Sequence, residues 1–316
     1  FFQADDGIRD PLWSRGLGDV YKRQVYHLAE ILNSHKIKFN RISEDIVLDG
    51  EKYTKDNSFI IPLNQPKRNL IDAMFYTQTD FRDSLFYDVS AWTFPLAFNV
   101  NYSYTNGLNK TSVSRLIGDE VESLEKPEGN VNSKSNYAYL FEPHEYYAQA
   151  AVYNLIKEGL RVKTATRKFS IGNKEYDYGT YLIPVQNQSM SSEGIYKKLI
   201  EVSQKYNVDF ESQSTGITNG IDLGSDYFII VNEPKIGLIV GDGVRSYDAG
   251  EIWHLLDTRY DIPISKLDVD DLRSIDLDKY THIILPDYNG GKLNSDQLST
   301  YTVSYTHLTL PTKRIV

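Results

Sequence analysis

Apolar positions along the chain switch between helical and strand spacing, in an order that occurs twice. Val25, Leu28, Ile31 and Leu32, continued by His35, fall at helical spacing and predict a helix over residues 25–37. Residues 37–42 and 46–48 then read as strands. Asp49-Gly50 supplies the positive φ that a tight hairpin turn needs. Residues 59–62 form a third strand, and Asn64-Gln65-Pro66 opens a helix over 67–76, with Pro near the first turn, where its missing N–H costs nothing.

The same succession returns further along. Residues 147–158 predict a helix, 160–162 and 169–171 strands, Gly172-Asn173 a turn, 181–184 a strand and 195–206 a helix. The offset is 123 residues at Tyr53/Tyr176 and 122 at Pro62/Pro184. Ile37 maps onto Leu160, Phe39 onto Val162 and Leu48 onto Ile171. The expectation is an α/β protein with two αβββα modules from a duplication, at 25–109 and 137–233. Between them, residues 110–136 are rich in Glu, Asn, Gly and Ser and read as a linker or loop.

From Lys235 the pattern changes. A buried-type strand over 235–240, a tight loop over 241–246, a helix over 247–260 and strands over 262–267 and 281–286 predict a parallel, doubly wound sheet. That flavodoxin-like or amidotransferase-like domain is expected over 235–301, cut short before the sheet is complete. Residues 1–24 carry no sustained period, and they and residues 302–316 look like translated sequencing adapter; both ends are expected to be foreign and are set aside from fold reasoning.

Composition narrows the function. Of 316 residues, 41% are hydrophobic and 24% charged, as in soluble globular proteins. A net charge of -9 argues against nucleic acid or an anionic membrane as the partner, since phosphate binding needs clustered Lys and Arg. The absence of cysteine excludes disulfides, thiolate metal sites and Cys nucleophiles within these residues. No apolar run reaches the length of a membrane span.

Several clusters have the right residue types for chemistry. His27-Leu28-Ala29-Glu30 fits a His-x-x-Glu zinc pair, and His144 follows as a possible third ligand; two imidazoles and a carboxylate would leave one position for an activated water. Against it, His27 and Glu30 lie off the apolar stripe of a regular helix, with solvent or a module boundary as the expected neighbour. His144-Glu145-Tyr146-Tyr147-Ala148 begins like His-Glu-x-x-His but has Ala where the second ligand must stand, so His144-Glu145 reads as preceding or capping a helix. The Gly241-Asp242-Gly243 turn lies where a helix N-terminus could take an anion, yet Ser246 replaces the third Gly of a dinucleotide fingerprint and reads as an N-cap, and Asp242 would repel phosphate. Glu251, His254 and Asp257 fall on one side of a predicted helix, read as a polar face with Ile252, Leu255 and Leu256 inward. No nucleophile elbow is present. The aromatic stretch with Phe86, Trp92, Phe94 and Phe98 reads mostly as core, with an exposed share suited to docking another domain.

Two stretches, residues 59–98 and 240–257, carry a family resemblance. The first runs from Phe59-Ile60-Ile61-Pro62 to Trp92-Thr93-Phe94-Pro95, and the second is Val240-Gly241-Asp242-Gly243-Val244-Arg245-Ser246-Tyr247-Asp248 through Trp253 to Asp257. Together they resemble the region after the catalytic domain in long zinc carboxypeptidase-like proteins of Bacteroidetes-type bacteria. The resemblance implies a zinc domain upstream of Val25, then accessory α/β modules, then the start of a class I glutamine amidotransferase-like domain. It implies no catalytic, cofactor-binding or metal residue within this chain, zinc only in the upstream domain, and a periplasmic or extracellular place. The implied partners are that upstream domain and its peptide substrate. Two other readings stay open: a free-standing peptide- or glycan-binding module, for which 24 tyrosines would suit the surface, and a self-contained zinc enzyme using His27, Glu30 and His144.

Overall fold

The computed structural model describes residues 11–13, 19–76, 94–98, 100–105, 108–289 and 293. The protein is of the α/β class, and the chain divides into two compact units, Phe1–Glu128 and Gly129–Val316.

In the first unit, β1 (Pro11–Trp13) leads into α1 (Asp19–Ser34), β2 (Asn40–Ile42), a hairpin of β3 (Ile46–Leu48) and β4 (Glu51–Tyr53), β5 (Phe59–Ile60) and α2 (Arg68–Phe75). The short α3 (Phe94–Ala97), β6 (Tyr102–Tyr104), α4 (Lys110–Leu116) and β7 (Ile117–Glu120) follow. The main sheet has the order β6-β1-β5-β2-β7, every pair antiparallel. With the hairpin set aside, β1-α1-β2-β5-α2-β6 is a split β-α-β arrangement: each helix crosses over a strand that returns between its neighbours. Leu28, Leu32, Phe39, Ile61, Ile71 and Phe75 fill its principal core.

The second unit opens with β8 (Ala138–Phe141), α5 (Ala148–Lys157), β9 (Lys163–Ala165), the hairpin β10 (Phe169–Ile171) and β11 (Lys174–Tyr176), β12 (Tyr181–Pro184), α6 (Ser192–Tyr206), β13 (Glu211–Gln213) and β14 (Phe228–Ile230). Its antiparallel sheet runs β13-β8-β12-β9-β14, the same order strand for strand as in the first unit. α6 buries Ile195, Leu199, Val202 and Tyr206, the spacing of one helical face, and α5 lays Ala148, Ala151 and Leu155 on the same core.

Two local devices also match. α1 ends with Lys36 at φ 58 and Ile37 N–H bonded back to the Leu32 carbonyl; α5 ends with Gly159 at φ 85 and Leu160 N–H bonded to the Leu155 carbonyl. This is the left-handed helix stop that glycine accepts most readily. Gln65 Nε2 donates to the carbonyls of Lys38 (2.9 Å) and Pro62 (2.6 Å) while its Oε1 accepts from Lys38 N–H (2.8 Å). Gln188 does the same with Arg161 and Pro184, at 3.0, 2.7 and 2.8 Å. Each glutamine ties two main-chain segments together through its side-chain amide.

After these elements the second unit adds β15 (Ile236–Val240), α7 (Ser246–Trp253), β16 (Ile264–Asp268) and β17 (His282–Ile284). They form a parallel sheet in the order β16-β15-β17.

The structure departs from the sequence reading in several places. Pro11–Trp13, in the segment set aside as adapter-like, pairs with both β5 and β6, and α1 begins at Asp19. The stretch 110–136 is not a plain linker: it holds α4, capped by Asn109 through Ser112 N–H, and β7, which pairs with β2. α4 buries only Val113 and Leu116, too few apolar positions to register a period. The hairpins form their own two-stranded sheets, so the three strands of each αβββα reading do not share one sheet. The strand expected at 160–162 starts at Lys163, because Leu160 N–H is still engaged in closing α5. The helix expected over 247–260 ends at Trp253 and continues as a π-helical turn over His254–Arg259.

Candidate functional site

His27 and Glu30 project from one turn of α1. His27 Nδ1 lies 2.9 Å from Glu30 Oε2, and the Tyr26 hydroxyl donates to Glu30 Oε1 at 3.0 Å. Glu30 is exposed, but His27 is buried, contrary to the expectation that solvent or a module boundary would surround both. The buried side of α1 includes Val25, His27, Leu28, Ala29 and Leu32, a wider face than the apolar stripe alone suggests. Each Glu30 oxygen thus makes a hydrogen bond within the helix itself. His144 belongs to the other unit. Among the described residues no group of three or more His, Asp or Glu side chains is placed to hold a metal ion.

The densest polar cluster is one that no local motif announces. Lys174 of β11 reaches Glu211 of β13 and lies 3.3 Å from Glu142, just past β8. Tyr176 donates to Glu211 Oε2 at 2.6 Å, and His144 Nε2 stands 3.8 Å from Glu142 Oε2. Burial opposes the charge on Lys174, but its bonds to Glu211 and Glu142 outweigh burial and hold its pKa above the ordinary lysine value. Burial, with the Glu211 carboxylate second, pushes the Tyr176 phenol up. Burial lowers the His144 imidazole pKa; Glu142 opposes that shift and Lys174 adds to it. A cation already bridges the two carboxylates, and this suits fastening the hairpin onto the sheet better than binding a second cation. Sequence reasoning missed the cluster because its members come from β11, β13 and the segment after β8, and only the fold brings them together. Glu145, expected to precede or cap α5, precedes it: the N-cap is Tyr147 without a side-chain bond, while Glu145 is buried and accepts from Asp209 N–H at 3.1 Å.

The turn between β15 and α7 is braced by carboxylates. Gly241 has φ 105, and a Cβ there would stand 2.7 Å from Asp268 Oδ1, so both its backbone and its surroundings require glycine. Arg245 N–H donates to the Asp287 carbonyl, Asn289 N–H to the Gly243 carbonyl, and Arg245 Nη1 lies 3.3 Å from Asp287 Oδ2. Arg245, not Ser246, is the N-cap, with no side-chain bond. Asp242 and Asp268 make this turn a poor phosphate cradle and a good tight β-to-α connection.

Glu251, His254 and Asp257 are all exposed. Leu255, expected inward, is 42% exposed, because the π-helical turn changes the residues per turn and rotates it out of register. Of the docking aromatics, Phe86 and Trp92 lie outside the described residues. Phe94 and Phe98 are half-buried, their rings 6.3 Å apart, and pack against the core of the first unit, while Leu96 between them is exposed. Among the described residues no helix is long and apolar enough to cross a membrane. Comparison with protein-family models, with curated proteins and with solved structures finds no match to this chain.

Proposed function

We propose that this chain is a non-catalytic accessory region of a zinc carboxypeptidase-like peptide hydrolase whose zinc domain lies upstream. Its role there is to position, stabilise or shield that domain, or to hold peptide at its edge, in a periplasmic or extracellular setting. The observation that carries this reading is the order of parts: two antiparallel sheets of identical strand order, followed by a parallel sheet opening in the doubly wound order. Accessory α/β modules followed by an amidotransferase-like domain are what the resemblance implies. The twin helix stops and twin glutamines favour an origin of the two modules by duplication. His27 and Glu30 bond each other along one helix, and Lys174, Tyr176 and Glu211 fasten a hairpin to its sheet. The test is a long sequencing read across the source DNA upstream of Val25. A domain with His-x-x-Glu, a later His and a late Glu is the expected result. A frame that opens near Val25 with its own start or signal peptide would overturn the proposal.

A second reading, a free-standing peptide-binding module, is favoured by one contrast. The edge strand β7 of the first unit carries Asp119 and Glu120, charges that discourage strand addition. Its counterpart β14 carries Ile229 and Ile230, both more than half exposed. Binding of extended peptides by the chain alone, lost on Ile229→Lys, would favour this reading over the first.

A further inference from the structure

An open cavity of about 270 Å³ lies between α7 and the C-terminal halves of β15 and β16. Leu238 and Val240 of β15 and Trp253 of α7 give it apolar walls. Two polar side chains share the lining, Ser246 and Lys266. Lys266 stands opposite Leu238 in the sheet, with Nζ 5.0 Å from the centre of the Trp253 ring. Among the described residues its ammonium has no carboxylate within ion-pairing distance. Ser246 opens α7 without capping it, so its hydroxyl is not spent on the helix.

Gly250 adds an independent observation. It lies inside a helix, where glycine is disfavoured, and its φ is not positive. A Cβ there would meet nothing within 4 Å. Neither backbone conformation nor a close neighbour requires glycine at this position, and the open space beside it is the cavity that it lines.

We propose that this cavity binds a small organic anion: one apolar body about the size of a single aromatic ring, carrying one carboxylate. The walls take the apolar body out of water, and the Trp253 ring offers it a flat face. The carboxylate would meet Lys266 and Ser246, a charge-assisted pair at the cavity's exposed rim. A cationic ligand would be repelled by Lys266. A polyanion such as a nucleotide would meet Asp268 beside Gly241, at the same rim. The volume falls just short of the range typical of drug-sized ligands, roughly 300–1,000 Å³, which favours a single ring.

This proposal is independent of the accessory role. It is tested by calorimetric titration of the whole chain with phenylacetate, phenylacetamide and phenethylammonium. Phenylacetate should bind, and the neutral amide and the cation should bind at least tenfold more weakly. Lys266→Met should erase the preference for the acid over the amide. Gly250→Leu should fill the space, abolish binding and leave the melting temperature equal or higher. Equal binding of acid and amide, no binding of any probe, or unaltered phenylacetate binding in either variant would overturn the proposal. So would a melting temperature lowered by Gly250→Leu, because the space would then be occupied by protein.

Discussion

Tyr176 donates its hydroxyl hydrogen to Glu211 Oε2 across 2.6 Å, and Tyr53, which ends the corresponding hairpin of the first unit, meets Ser103 Oγ across 2.8 Å. In both units a buried tyrosine on the last hairpin strand ties the hairpin to an edge region of the main sheet, β13 in one and β6 in the other. The partner is a charged carboxylate in one and a neutral hydroxyl in the other. Hydrogen bonds to charged groups contribute about 1.5–3 kcal/mol and neutral ones about 1 kcal/mol. Tyr176→Phe should therefore cost more stability than Tyr53→Phe, about 1.5 against about 1 kcal/mol once the partial exposure of Glu211 is allowed for. Urea denaturation of the two variants measures the difference. A larger loss for Tyr53→Phe would contradict it.

Gln65 and Gln188 each make three hydrogen bonds to main chain. Replacement by alanine leaves the N–H of Lys38 or Arg161 without that partner. Gln188→Ala and Gln65→Ala should each lose about 2–3 kcal/mol. A shift of less than about 0.5 kcal/mol, the range of an ordinary surface substitution, would show that water replaces the amide without cost.

Lys36 occupies the left-handed position that Gly159 holds in the second unit. A side chain in that conformation costs about 1 kcal/mol. Lys36→Gly should raise stability by about 0.5–1 kcal/mol, and Gly159→Ala should lower it by about 1 kcal/mol. Thermal unfolding of the pair checks both signs, and stabilisation by Gly159→Ala would refute the assignment.

Burial, followed by the neighbouring Tyr102 and Asp72, pushes the Tyr104 phenol up to about 12. Burial is likewise the largest cause holding Tyr53, Tyr139, Tyr153, Tyr181, Tyr206 and Tyr260 above the ordinary value. The folded chain then keeps protons that the unfolded chain releases from about pH 10 upward. This contribution to stability is complete below pH 10 and is lost as the pH rises through 12. The urea midpoint should fall between about pH 9 and about pH 11, with tyrosinate absorbance appearing only as the chain unfolds. A midpoint that stays level, with early tyrosinate absorbance, would show that these phenols are open to solvent.

Much of this fold was legible in the chain, for identifiable reasons. Asp49 and Gly50 both take positive φ, as the two-residue turn requires, and Gly172 does so in the second hairpin. The offset read in the sequence runs alongside two sheets of the same strand order. It drops from 123 to 122 between Tyr176 and Pro184, and Asn187, at φ 56, is the extra residue that restores it at Gln188. Other features carried no readable signal. β7 is a four-residue edge strand ending in Asp119-Glu120, which reads as loop. Pro11–Trp13 has no period to detect in three residues. The amide bonds of Gln65 and Gln188 replace main-chain pairing with a side chain, which hydrophobic patterning does not record. For the candidate sites, spacing identified His27 and Glu30 as neighbours but left the burial of His27 unread, and the Lys174 cluster depends on the pairing of β13 with β8 and on the hairpin packing against that sheet.

We propose that this chain does no zinc chemistry by itself. The most direct measurement equilibrates the purified chain with excess zinc, desalts it and counts retained metal by mass spectrometry, beside His27→Ala. Neither protein is expected to hold zinc tightly or to hydrolyse peptide substrates. One zinc retained per chain, lost with His27→Ala, would contradict it and make His27, Glu30 and His144 a working centre.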